Sequence, residues 1–173
     1  YVPIVDGSDE IINKNRENLN KFKQDLVKKT NKKQTEGRLE EALPGSDVFI
    51  GVSKGEIATK EMIKSMNPQP IVFAMANPIP EIWPEQAREA GAIIIGTGRS
   101  DYPNQVNNAL VFPGMFRGLL DSKVSQVTSS MKIQAGIALA YSLKKPSKNK
   151  ILPIISNKSI VKIIAKSIKK FKN

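Results

Sequence analysis

The chain of 173 residues contains no cysteine and no histidine. The first absence excludes a disulfide framework and thiolate chemistry. The second removes the side chain that most often acts as general base or metal ligand. Acid–base chemistry within this chain would fall to Asp, Glu, Lys or Tyr. Long apolar runs are missing too: none approaches the roughly 20 residues of a membrane span. The opening YVPIVDGSDE lacks the basic-then-apolar order of a signal peptide, so a cytoplasmic location without membrane attachment is expected. No G-x-G-x-x-G occurs, so the usual glycine-rich dinucleotide loop is not encoded here.

Acidic residues are absent from one region. Ser122–Asn173 holds twelve Lys and no Asp, Glu or Arg, while the other 121 residues carry 15 basic and 16 acidic groups. The net charge of +11 therefore belongs to the C-terminal third, and a uniform electrostatic case for nucleic acid would be a misreading. Within that third, Lys158–Lys172 sets Ile160, Val161, Ile163, Ile164 and Ile168 against Lys158, Lys162, Lys166, Lys169 and Lys170. Such a helix can lie on an acidic membrane or on nucleic acid. The simpler reading is a terminal helix docking its apolar face with its lysines in solvent. No aromatic residues interleave with the lysines to stack bases, and no nucleic-acid partner is expected.

Hydrophobic residues make up 40 %, a globular composition sufficient for one sizeable core. Short apolar runs at Val2–Val5, Asp47–Val52, Pro70–Met75 and Ala92–Gly96 read as strands. Amphipathic or capped stretches at Glu17–Lys29, Gly37–Leu43, Lys60–Met66 and Pro84–Ala90 read as helices between them. Thr59 suits an N-cap, Pro84 suits a first turn, and Gly91 marks a stop. Strand and helix alternation at this spacing predicts βαβ units, and near-continuous apolar strands predict a parallel sheet covered on both faces. Further helices are expected near Ala109–Asp121, Ser129–Leu143 and Lys158–Phe171, with a polar linker at Lys144–Lys150. In open α/β sheets ligands sit outside the carboxyl ends of the strands. That rule directs attention to the loops Ala76–Pro80 and Gly98–Asn108.

The segment Asp6–Ala138 resembles the C-terminal, dinucleotide-binding domain of prokaryotic malic enzymes. The resemblance is carried by DVFIGVS at Asp47–Ser53, FAMANPIPEI at Phe73–Ile82, GTGRSDYPNQVNN at Gly96–Asn108 and FPGMFRG at Phe112–Gly118. NRENLNKFKQDLVKKTN at Asn15–Asn31 matches more loosely. It implies an oxidoreductase that converts malate to pyruvate and CO2 while reducing NAD or NADP, with Mg²⁺ or Mn²⁺. It implies a Rossmann-like, doubly wound parallel α/β sheet, here lacking the first strand and its glycine-rich loop. Residues 1–143 would be the partial dinucleotide-binding domain. Residues 144–173 would be a Lys-rich linker and an amphipathic helix packing on it.

By resemblance Asp6 binds the adenosine ribose, Ser53 lines the cofactor, and Asn77 lies near nicotinamide and malate. Asn107 and Asn108 match an Asn pair at the substrate. The family's catalytic tyrosine and lysine and its acidic metal ligands match nothing in this chain. The chain is therefore expected to need an N-terminal catalytic domain or a second chain, to be inactive alone, and to belong to a homo-oligomer in the full enzyme. A non-catalytic relic or interaction domain is the alternative. Without a first strand, the Val2–Val5 run would lack its inner neighbour and leave backbone groups to find another partner. Leu152–Asn157 departs from the family pattern, which puts a last sheet strand in doubt. Arg99 could bind a phosphate, although pairing with a nearby acid is the simpler role. Asp101 reads as a turn residue rather than a metal ligand.

Overall fold

Two compact units divide the chain, Tyr1–Ile95 and Gly96–Asn173. The structure, a computed structural model, describes residues 2–17 and 19–171. Three of the four expected strands form: β1 (Val48–Gly51), β2 (Ile71–Ala74) and β3 (Ile94–Thr97), in the order β1-β2-β3. β1 and β2 run parallel, with Val48 opposite Ile71 and Gly51 opposite Ala74. The connections are helical: α3 (Lys60–Lys64) links β1 to β2, and α4 (Pro84–Glu89) links β2 to β3. Thr59 caps α3 by accepting the Met62 N–H, and Pro84 opens α4. α1 (Lys21–Val27) and α2 (Leu39–Ala42) precede the sheet. The helix expected over 17–29 is thus shorter, and Asn18 lies outside the described residues.

Val2–Val5 does not join the sheet as a parallel strand. It folds back antiparallel, bridging Val5 to Ile11. Ile12 N–H donates to Ile4 O at 2.7 Å and Asp6 N–H to Glu10 O at 3.1 Å. The Asp6-Gly7 turn allows this return, and local pairing satisfies backbone groups that would otherwise be orphaned. The expected cover on both sheet faces also fails at β1. Phe49 is buried, while Val48 and Ile50 are exposed. The core of this unit lies on the Phe49 side and includes Ile63, Val72, Ile82 and Ile95.

The second unit is helical. A 3₁₀ turn at Asn108–Leu110 leads into α5 (Phe112–Ser122), followed by α6 (Ser129–Tyr141) and α7 (Ser159–Ile168). Ile160, Ile164 and Ile168 of α7 pack with Met115, Leu119 and Met131. Its lysines Lys162 and Lys166 are exposed. Two glycines set the approach of α5 to α7. A Cβ at Gly114 would lie 2.7 Å from Ile164 Cβ, and one at Gly118 would lie 2.6 Å from Ile168 Cβ. Asp121 fixes the far end of α5, 2.8 Å from Arg117 and 2.7 Å from Lys169. Among the described residues no strand follows β3, and no helix is long and apolar enough to cross a membrane.

Candidate functional site

Ser53 and Asn77 lie just past the carboxyl ends of β1 and β2, and both are exposed. What holds their two loops together is Glu81, whose side chain is fully buried. One carboxyl oxygen accepts the Ser53 N–H at 2.9 Å, and the other accepts the Ala76 N–H at 2.9 Å. Two main-chain bonds reinforce this tie: Glu56 N–H to Pro80 O and Ala58 N–H to Glu81 O, both 2.9 Å. Gly51 makes room, because a Cβ there would lie 2.4 Å from Glu81 Cδ. Glu81 therefore fixes the backbone immediately before Asn77. The Asn77 amide makes no hydrogen bond among the described residues, so its donor and acceptor remain available.

Glu81 was missed by sequence reasoning, although a signal existed. An acid inside the apolar run PIPEIWP after a buried strand has to find donors.

Asp6 and Ser53 border one groove of about 590 Å³ in the first unit, with Gly7, Asp9, Lys33 and Lys54 beside them. Asp6 is strongly engaged. Ser8 donates its N–H and its hydroxyl to one carboxylate oxygen at 3.0 and 2.6 Å. Arg16 at 2.8 Å and Lys23 at 2.5 Å meet the other. Burial alone would raise this carboxyl. Lys23, Ser8 and Arg16 together outweigh burial and hold it well below the usual carboxylate range. A ribose hydroxyl reaching Asp6 would share an acceptor already met by cations.

In the second unit Asn107 caps the 3₁₀ turn, its side-chain oxygen accepting the Ala109 N–H at 2.9 Å. That leaves its NH₂ as the available donor, which is the polarity a carboxylate requires. Asn108 is exposed beside it. The loop before them is pinned by Asn104, which sequence reasoning also passed over. Its NH₂ donates to Lys148 O at 2.8 Å and its oxygen accepts the Ile151 N–H at 2.9 Å. Arg99 pairs with Asp101 at 2.8 Å, as the simpler reading expected. This pairing raises the Arg99 guanidinium and lowers the Asp101 carboxyl. Among the described residues no three His, Cys, Asp or Glu are placed to hold a metal ion. The described residues therefore supply no three-ligand set for a divalent cation.

A parallel sheet joined by helices, with polar loops at the carboxyl ends of its strands, defines an α/β domain of the Rossmann-like class. The profile of the malic enzyme NAD-binding domain matches residues 3–171, and the chain belongs to that family. It is 47 % identical over 154 residues to the bifunctional malic/malolactic enzyme of Bacillus subtilis, covering 88 % of this chain and 38 % of that protein. It is 43 % identical over 143 residues to the NADP-dependent malic enzyme of Halomonas elongata, covering 82 % and 33 %. The crystal structure of the NAD-dependent malic enzyme from Thermotoga maritima superposes with a TM-score of 0.87 at 43 % identity, over 92 % of this chain and 42 % of that one. The chain thus spans well under half the length of these relatives.

Proposed function

We propose that this chain supplies part of the cofactor site and the substrate asparagines of a malic enzyme. The reaction is malate plus NAD or NADP to pyruvate, CO2 and the reduced cofactor. When bound, the dinucleotide provides the hydride acceptor for C2 of malate. Asp6 and Ser53 would hold it, at the ribose and along the groove. Asn77 would orient the nicotinamide and malate, and Asn107 and Asn108 would bind the malate carboxylate. Neutral amides do this without adding a charge that competes with a carboxylate's other partners. The observation that carries this reading is the Asn77 amide, unengaged at a strand's carboxyl end on a loop locked by Glu81.

The base and the metal ligands would come from the remainder of a full-length enzyme, which works in the cytoplasm as a homo-oligomer. This chain alone would then not turn over, because proton transfer needs groups that it lacks. The test is ligand titration followed by NMR. NAD or NADP should shift the amides of Asp6, Ser53 and Asn77, and Asp6→Ala should weaken that binding. Shifts confined to other residues would overturn the assignment.

A further inference from the structure

The loops that leave β1 and β2 touch at several places besides the Glu81 carboxylate. Met75 N–H donates to Gly51 O at 3.0 Å, where the ladder ends. Beyond it two glycines press on the second loop. A Cβ at Gly51 would overlap Glu81 Cδ, and one at Gly55 would lie 2.6 Å from Ile79 Cγ2. The Glu56 carboxylate accepts the Trp83 indole N–H at 3.0 Å. The main-chain bonds to Pro80 and Glu81 hold the far part of the loop, away from Asn77. The Glu81 side chain alone among these ties links Ser53 to the residue next to Asn77.

That side chain is more than a brace. Glu81 is fully buried, and among the described residues no Lys or Arg forms an ion pair with it. A buried carboxylate without a counter-charge depends on its hydrogen bonds, and those bonds are charge-assisted. Its two oxygens share one carbon and one plane. A shift of the Ser53 N–H therefore moves the acceptor offered to Ala76. We infer that Glu81 is a positioning residue that makes the two loops respond as one, so that a dinucleotide on the Ser53 loop sets the Asn77 amide for malate. Such coupling is reciprocal: malate at Asn77 would tighten the dinucleotide by the same factor. The identity of the two ligands rests on the malic enzyme reading. The link between the loops does not, and it can be tested with no ligand present.

Gly51→Ala displaces the Glu81 carboxylate without changing its chemistry, because Glu81 Cδ is the atom that the new methyl meets. In the free chain, hydrogen exchange followed by NMR should then be about tenfold faster at both Ser53 and Ala76. Ile71, whose N–H bonds Asp47 O at the other end of the β1·β2 pair, should keep its parental rate. Adding Glu81→Gln should bring no further change at Ala76, and Gly51→Ala decides alone if that double variant does not fold. Faster exchange at Ser53 with Ala76 unmoved would overturn the link. So would an equal gain at Ile71, which would mean general loosening. ADP-ribose, which lacks the nicotinamide ring, then probes transmission. It should shift the Ser53 and Ala76 amides of the parent. In Gly51→Ala the Ser53 shift should remain and the Ala76 shift should fall by more than half. An Ala76 shift of parental size in both Gly51→Ala and Glu81→Gln would overturn the coupling. No shift at Ser53 in the parent would instead overturn the cofactor role of that loop, and the exchange rates would still decide the link.

Discussion

α7 turns Ile160, Ile164 and Ile168 inward and leaves its lysines in solvent, whereas β1 buries Phe49 and leaves Val48 and Ile50 bare. Both elements are amphipathic or wholly apolar, so hydrophobicity does not separate them. What separates them is cover. In the second unit, glycines at 114 and 118 let α5 close on α7. In the first, Val48, Ile50 and Val52 on the outer face of β1 remain exposed. The contrast distinguishes a helical unit that buries the apolar face of α7 from a sheet that leaves apolar side chains exposed.

The largest expected effect lies in the helical unit. Ile164→Ala removes a fully buried side chain and should cost about 2–5 kcal/mol, read as a lower urea midpoint. Gly118→Val should also destabilise, because it drives a branched side chain into Ile168. Next comes the loop tie in the sheet unit. Glu81→Gln keeps the shape but sets an NH₂ against one of two backbone N–H groups. The expected cost is about 1–3 kcal/mol, with faster amide exchange at Ser53 and Ala76.

Asp6 should give about 1 kcal/mol at neutral pH, with a definite pH signature. Its carboxyl is held below the ordinary value when folded. Its contribution is therefore whole above about pH 4 and is lost as pH falls toward the folded value. Asp6→Asn should flatten the acid limb of a stability–pH curve. The smallest effect belongs to the bare face. Ile50→Lys should change the stability of the free chain by about 0.5 kcal/mol or less. A larger loss would mean that Ile50 is covered, and the contrast between the units would dissolve.

Period and punctuation were enough to place β1, β2 and β3, the Thr59 cap and the Pro84 start. The Val2–Val5 run misled, because an apolar tetrapeptide before Asp-Gly fits a parallel strand or a hairpin arm equally well. Its neighbours decide between them. Positions 77 and 107 could be named from motif resemblance, but not the reason that their loops hold still. That reason is Glu81 in one unit and Asn104 in the other. Each is a polar side chain whose partners lie up to 47 residues away, a separation that local pattern does not register. The crowding of Arg16, Lys23 and Ser8 around Asp6 is likewise tertiary.

The most direct measurement is malate-dependent reduction of NAD or NADP, with Mg²⁺ or Mn²⁺ in the buffer, by the pure chain and by its complex with the unmatched part of the Bacillus subtilis relative. The chain alone should show no turnover and the complex should show it. In the complex, Asn107→Ala should lower kcat/KM for malate by about tenfold to a hundredfold while the KM for cofactor holds. Asp6→Ala should do the reverse. Turnover by the chain alone, or an Asn107→Ala complex that uses malate as well as its parent, would contradict the account.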